Sequence, residues 1–230
     1  MAALWKSPIY RLTSRSGEAI TVDVTTSINP ALQANAVFTE IIIPLFLERG
    51  VKRVVDFGAG ALRNTIPLLP AGFDVCAVEF EQAFARPVCR EARAAAEQYQ
   101  NFTALVWPDA YLNDRRKFDA ALLCYVLQTM PMPTERRRVL RSLKKKLAGD
   151  AYVVYMSRYN QFRGKINPRQ GVSDGYYMWP RRAEHSFYRE FETQDTHDMF
   201  GKYGFRSLRS LSQRGTEQMF LYGRGDASWP

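Results

Sequence analysis

Two acids and two glycines carry the first chemical signal. Val54-Val55-Asp56-Phe57-Gly58-Ala59-Gly60-Ala61 reads as an apolar strand that ends in a carboxylate and turns through glycines. Lacking a Cβ, Gly58 and Gly60 let the backbone approach a ligand closely. The next apolar run, Phe73 to Val78, leads into Glu79, 23 positions after Asp56. A carboxylate about 20 residues beyond a glycine turn is spaced to accept both hydroxyls of a ribose. Asp56, directly ahead of the glycines, is the wrong charge for a nicotinamide dinucleotide, because it repels a pyrophosphate. It attracts a nucleoside that is positively charged and carries no phosphate.

These groups need strands to aim them, and the pattern supplies strands. Val51 to Phe57, Phe73 to Val78, Phe102 to Val106, Asp119 to Tyr125 and Ala151 to Met156 are short apolar runs. Between them lie helical patterns over Ala61 to Leu69 (short, irregular at Pro67 and ended by Pro70), Gln82 to Tyr99 and Thr134 to Leu147, the last with Thr134 as N-cap. A further helix is expected from Asn29-Pro30 to Arg49, stopped by Gly50. Strands this apolar, separated by helices, read as a parallel sheet covered on both faces. Phe191 to Lys202 reads as a closing helix, and Phe205 to Leu211 and Gln218 to Tyr222 as closing strands. The expected fold is α/β: a doubly wound, mostly parallel seven-stranded sheet, with an inserted lid or substrate loop after the fifth strand. We expect one domain over 1–230. It comprises an N-terminal extension and helix (1–50), a core (51–156), the insertion (157–190), and a closing helix and strands (191–230).

The acid–glycine–acid arrangement resembles the first motif, (D/E)-x-G-x-G, of the class I S-adenosylmethionine-dependent methyltransferases, which are Rossmann-like. The resemblance runs from about Val51 to Met156. It implies that Asp56, Gly58 and Gly60 hold the methionine end of S-adenosylmethionine, with Phe57 and Ala59 of the same turn also binding the cofactor. Glu79 would take the ribose, with Phe80 stacked beside the adenine. Asp109 and Ala110, in Trp107-Pro108-Asp109-Ala110-Tyr111, match the place where the family contacts the adenine edge. Cys124 and Tyr125 would face the sulfonium and the substrate. Leu62 stands where many members have a third glycine.

The acceptor is less legible. The net charge is +9, and residues 131–190 alone hold 14 Lys/Arg against 5 Asp/Glu, so the remainder of the chain is neutral. A charge concentrated in one quarter of the chain attracts anions. The Glu135–Lys146 helix is basic. The insertion adds Arg158, Arg163, Lys165, Arg169, Arg181 and Arg182 among Tyr159, Phe162, Tyr176, Tyr177 and Trp179. That mixture suits an anionic or aromatic small molecule and a nucleic acid equally well. Cys124-Tyr125-Val126-Leu127 replaces the Asn/Asp-Pro-Pro-Tyr/Phe signature of amino-methylating nucleic-acid enzymes. Cys124, inside an apolar run and without a preceding proline, reads as packing rather than as a nucleophile. Candidate catalytic residues are Tyr125, Asp174, Tyr176 and His185; His197, between Asp195 and Asp198, reads as a surface residue. Direct methyl transfer needs alignment above all, so a dedicated base is optional.

Three cysteines without metal or disulfide spacing read as reduced core residues of a cytoplasmic protein, with no metal site. No membrane-length apolar run and no secretory leader are visible. The oligomeric state stays open. Two other readings also fit the same fold. One is a nucleic-acid-binding or regulatory protein that has lost catalysis, the other a non-methylating enzyme that uses the same cofactor.

Overall fold

A computed structural model describes residues 7–28, 33–161, 166–178, 184–214 and 216–229. The chain opens with a hairpin, β1 (Ile9–Thr13) and β2 (Ala19–Asp23), followed by α1 (Ile43–Glu48). Then come β3 (Arg53–Phe57), β4 (Asp74–Glu79), α2 (Glu81–Phe84), α3 (Pro87–Ala96), β5 (Phe102–Val106), α4 (Asp109–Asn113), β6 (Phe118–Cys124), α5 (Pro133–Lys146) and β7 (Leu147–Arg158). Three short strands follow: β8 (Gly171–Val172), β9 (Gly175–Tyr177) and β10 (Phe187–Tyr188). The chain closes with α6 (Thr193–Gly201), β11 (Arg206–Arg214) and β12 (Glu217–Gly223).

The main sheet has seven strands in the order β11-β12-β7-β6-β3-β4-β5. β3 to β7 are parallel, and β12 and β11 close the edge antiparallel. Alternate residues of each strand feed two cores. Val55, Val78, Leu123 and Tyr155 face α5 and α6 through Val139, Leu143 and Phe200. Val54, Val75, Leu122 and Val154 face α1 and α3 through Phe46, Ala92 and Ala96. This is the mostly parallel, doubly wound sheet expected. From β3 the chain steps outward to β4 and β5, then returns to lay β6 on the other side of β3. At such a switch point the loops after neighbouring strands diverge and leave a crevice at the carboxyl edge.

Local expectations fare less well. The helix expected from Asn29 shrinks to a π-helical turn at Phe38–Ile42 and the short α1; positions 29–32 lie outside the described residues. Gly50, with φ of +65°, does end it. The helix expected at Ala61 to Leu69 is only a 3₁₀ turn, Ile66–Leu68, because Leu62 takes a left-handed φ of +57° and Pro67 removes a donor. The Gln82–Tyr99 pattern breaks into α2 and α3 at Pro87, since Arg86 ahead of the proline is held extended. Met132 rather than Thr134 caps α5, without a side-chain bond, because Pro133 occupies its first turn.

The 157–190 insertion is not a structureless loop. Its described residues form a three-stranded antiparallel sheet, β10-β9-β8. That sheet docks on the N-terminal hairpin: the Asp23 amide donates to the His185 carbonyl (2.9 Å), and the His185 amide to that of Thr21 (3.0 Å). Tyr10, Ile20, Val22, Val172 and Phe187 bury a third core between them. A salt bridge fastens the small sheet to α5, with Asp174 accepting from both Arg136 and Arg189 (2.7 Å). Among the described residues, no helix is long and apolar enough to cross a membrane.

Candidate active site

A cavity of about 630 Å³ opens at the carboxyl edge of the sheet. That falls in the range of roughly 300–1,000 Å³ for small-ligand pockets. Its floor is the turn after β3 (Asp56 to Ala61) with Glu79 and Phe80 at the tip of β4. Cys124 to Val126 and Gln128 to Met130, after β6, form one wall. Val24 to Ile28, after the hairpin, form another, and Met178 and Ser186 to Tyr188 reach in from the small sheet.

The β3 turn has its conformation because glycine allows it. Gly58 has φ of +72° and Gly60 of +52°. A Cβ on Gly58 would stand 2.4 Å from Val126 Cγ2, so the turn packs directly on the segment after β6. The Gly58 amide donates to the Val78 carbonyl (2.8 Å), which ties the turn to β4.

Two carboxylates define the floor, Asp56 buried and Glu79 half-buried. Asp56 is 2% exposed and accepts from the Thr65 hydroxyl at 2.7 Å. Burial pushes it up to about 6, against the opposing pull of the Thr65 bond and the Arg63 charge. Glu79 accepts from the amides of Phe80 (2.9 Å) and Gly60 (3.1 Å), one on each oxygen. Burial pushes it up to about 7, and the charge of Asp56 adds to the rise. Each Glu79 oxygen keeps a lone pair for a further donor. Beside them Asn64 is 6% exposed, and its Oδ1 has no hydrogen-bond partner among the described residues. Desolvated acids and an unpaired acceptor fit a ligand that brings donors and positive charge.

Tyr125 dominates the opposite wall. Its φ of +61° is strained for a non-glycine residue, a condition that clusters at functional sites. Its hydroxyl donates to Glu217 Oε1 at 2.6 Å, and Arg158 Nη1 donates to the same oxygen at 2.6 Å. Two guanidinium groups lie over the ring: Arg158 at 5.0 Å from its centroid and Arg63 at 5.1 Å. Burial and the Glu217 carboxylate raise the Tyr125 phenol well beyond its ordinary value, so it stays protonated and serves as a donor. Burial also raises the Cys124 thiol well above its usual range, and all three cysteines are buried and free.

The structure thus brings together Asp56, Phe57, Gly58, Ala59, Gly60, Glu79, Phe80, Cys124 and Tyr125. Asp109 and Ala110 instead sit exposed in the first turn of α4, outside the cavity lining; Trp107, 3% exposed, lines it in their place. Asp174, Tyr176 and His185 also lie outside the lining. The first is consumed by its two arginines. Tyr176 lies beneath Arg15 (5.9 Å), and His185 Nδ1 bonds the Met178 carbonyl at 2.9 Å. His197 is half-buried rather than a surface residue, bonded to the Tyr222 hydroxyl at 2.8 Å. Of the insertion's basic and aromatic residues, Phe162, Arg163, Lys165, Trp179, Arg181 and Arg182 lie outside the described residues. Sequence reasoning missed Arg63, Asn64, Gln128, Gln161 and Ser186. Only Arg63 and Asn64, just past the glycine turn, gave a positional hint.

No side chain of the basic helix lines this cavity, though Arg136 braces its wall through Asp174. Arg141, Lys144 and Lys145 of α5 line a separate groove with Lys117 and Arg224, near the amino-terminal ends of β6 and β7 and so at the opposite sheet edge. Lys117 and Arg224 there bond carbonyls at the end of α5, the ordinary use of cations at a helix C-terminus.

Residues 33–210 match the family described as a methyltransferase domain. No curated protein matches the sequence. Among solved structures, an S-adenosylmethionine-dependent methyltransferase from Clostridium acetobutylicum aligns with TM-score 0.62 at 12% identity, over 84% of this chain and 92% of that one. The 1,6-didemethyltoxoflavin-N1-methyltransferase of Burkholderia thailandensis aligns with TM-score 0.59 at 18% identity, over 89% and 82%. The pyocyanin biosynthetic protein PhzM aligns with TM-score 0.55 at 18% identity, over 76% of this chain. This chain spans half the length of that last protein. At such identities the likeness is one of fold.

Proposed function

This chain belongs to the methyltransferase-domain family, and on that premise we propose that it transfers a methyl group from S-adenosylmethionine to a small anionic or aromatic acceptor in the same cavity. The observation that carries the reading is the pairing of buried Asp56 and half-buried Glu79 on the floor of one cavity, with no cation among the described residues bonded to either. S-adenosylmethionine brings a sulfonium cation, an ammonium and ribose hydroxyls, and supplies an electrophilic methyl group. Glu79 holds the ribose through the lone pairs its two amide bonds leave. Asp56, with Asn64 Oδ1, takes the ammonium end. Phe80 packs beside the base, with Trp107 in the role expected of Asp109 and Ala110.

The acceptor sits toward Gln128, Arg158, Gln161 and Ser186. Among the described residues the cavity wall has no histidine, and its carboxylates are the two on the floor. With Tyr125 and Cys124 both held protonated, this favours an acceptor that arrives already nucleophilic, such as a phenolate, carboxylate or acidic ring nitrogen. Tyr125 and Arg158, both fixed by Glu217, position it, and the gain is one of alignment. Supporting a small acceptor are the size of the cavity, about 630 Å³, and a fold neighbour solved with 1,6-didemethyltoxoflavin bound. The basic groove at the opposite sheet edge gives a nucleic acid no route to the methyl group.

The test is a thermal-shift titration with S-adenosylmethionine, followed by transfer of labelled methyl into fractions of a cell extract. Wild type is expected to be stabilised, Glu79→Ala to lose the shift, and label to enter small molecules. No shift in wild type at millimolar cofactor defeats the reading. Label in RNA or DNA keeps the enzyme and replaces the acceptor.

A further inference from the structure

Gln128 joins three elements beneath the small sheet. It sits in the 3₁₀ turn Leu127–Thr129 after β6 and is 5% exposed. Its backbone carbonyl accepts from the Arg189 amide, just past β10, at 2.8 Å. Its side-chain Oε1 accepts from the Arg158 amide, at the end of β7, at 2.6 Å. A backbone N–H can only donate, so this bond fixes which end of the side-chain amide is the oxygen. The other end, Nε2, carries two N–H donors, and among the described residues nothing accepts from them. Burying an amide donor without an acceptor is unfavourable. Gln128 lines the cavity, so the missing acceptor can arrive with a ligand.

Building on the acceptor reading above, we propose that Gln128 determines acceptor specificity: its clamped Nε2 donates to a carbonyl or carboxylate oxygen of the acceptor. The amide cannot turn over to present Oε1 instead. Doing so would break the bond to Arg158 and leave that backbone N–H unpaired. The site therefore reads polarity as well as shape. It takes an acceptor with an oxygen at this place and rejects one with an amino group there, because two donors would then face each other. Arg158, on the same wall, adds a positive charge that favours the same oxygen. The carboxylates among the described lining residues are Asp56 and Glu79, both on the floor, so no acid here competes for the Gln128 donors.

The test uses methyl-labelled S-adenosylmethionine and the small-molecule fraction of a cell extract, with the labelled product identified. The wild-type product is expected to carry a carbonyl or carboxylate oxygen. Gln128→Glu keeps an oxygen for the Arg158 amide and removes both donors. It should lower kcat/KM for that acceptor roughly ten- to a hundredfold. Its Kd for S-adenosylmethionine should stay within about twofold of wild type, which also reports that it has folded. Gln128→Met loses the clamp as well as the donors, and should fall at least as far with a lower melting temperature. If the clamp on Arg158 is all that matters, Gln128→Glu turns over like wild type and only Gln128→Met falls, which overturns the assignment. It is also overturned if the product has no such oxygen, or if Gln128→Glu weakens cofactor and acceptor equally. Wild type that binds S-adenosylmethionine but labels no small molecule overturns the acceptor reading, and this assignment with it.

Discussion

The floor of the cavity and the wall beneath the small sheet are made of different material. The floor is backbone and two acids from adjacent strand tips, joined by the Gly60–Glu79 and Gly58–Val78 bonds. The wall is side chains from segments far apart in the chain: Gln128 after β6, Arg158 ending β7, Gln161 beyond it, and Met178 and Ser186 flanking β9 and β10. The floor is rigid because the main sheet fixes it. The wall depends on the Asp174 bridge and on the docking of a sheet whose strands are two or three residues long. A floor of this kind fits one ligand chemistry, whereas such a wall can be altered to change the acceptor while the cofactor end stays fixed.

The largest effect that would test this contrast comes from Gly58→Ala. A Cβ there meets Val126 at 2.4 Å and adopts a left-handed φ. Strain and overpacking together cost about 2–4 kcal/mol. The expected outcome is a lower melting temperature and no measurable cofactor binding by calorimetry. An unaltered Kd would mean that the floor yields as readily as the wall.

Acidity should act on the floor next. Asp56 and Glu79, held near 6 and 7, take up protons more readily in the folded chain than in the unfolded one. Their protonated burial therefore favours the ligand-free fold below the ordinary carboxylate range, and that contribution is lost as pH rises through about 6 to 7. Cofactor binding runs the other way, since a cation needs the acids ionised. Between pH 5.5 and 8 the Kd for S-adenosylmethionine should tighten roughly tenfold while the ligand-free melting temperature falls. A flat affinity profile would remove Asp56 from the ammonium and the ionised Glu79 from the ribose.

The smallest effect is expected at the wall. Asp174→Ala leaves Arg136, whose side chain is 5% exposed, and Arg189 without their carboxylate. The loss should be about 2 kcal/mol of stability. The KM for the acceptor should rise several-fold with the cofactor Kd unchanged. If both constants move together, the floor and wall are one mechanical unit and the contrast fails. None of these measurements asks Asp174 to do chemistry, because its place as a bridge explains why an acid stands there.

How far the sequence could be read follows the same division. Asp56, Gly58, Gly60 and Glu79 lie at strand ends, so the strand pattern alone placed them at one edge. Cys124 and Tyr125, at the end of another strand, came from the resemblance to the methyltransferase family. Asp109 lies outside the cavity lining because a helix begins there and carries it outward, while Trp107, two positions earlier and next to the strand end, stays in. His185 and Tyr176 looked chemical because of their residue types. In the fold their ring nitrogen and ring face are turned to Met178 and Arg15. The short helix expected after the glycines shrank to a single turn for a local reason the pattern did not carry, the left-handed conformation of Leu62, while the irregularity at Pro67 was legible.

The chain by itself determined the parallel sheet, its two covered faces and the acidic floor, because strand periodicity and a glycine turn are local properties written in neighbouring residues. Only the tertiary structure decided that Arg63 and Arg158 meet over one ring and that Glu217 pins Tyr125. It likewise decided that the basic helix faces away from the cavity and that an N-terminal hairpin and a late insertion share a core. Those contacts join residues up to more than a hundred positions apart, and no spacing in the sequence encodes which distant side chains will meet.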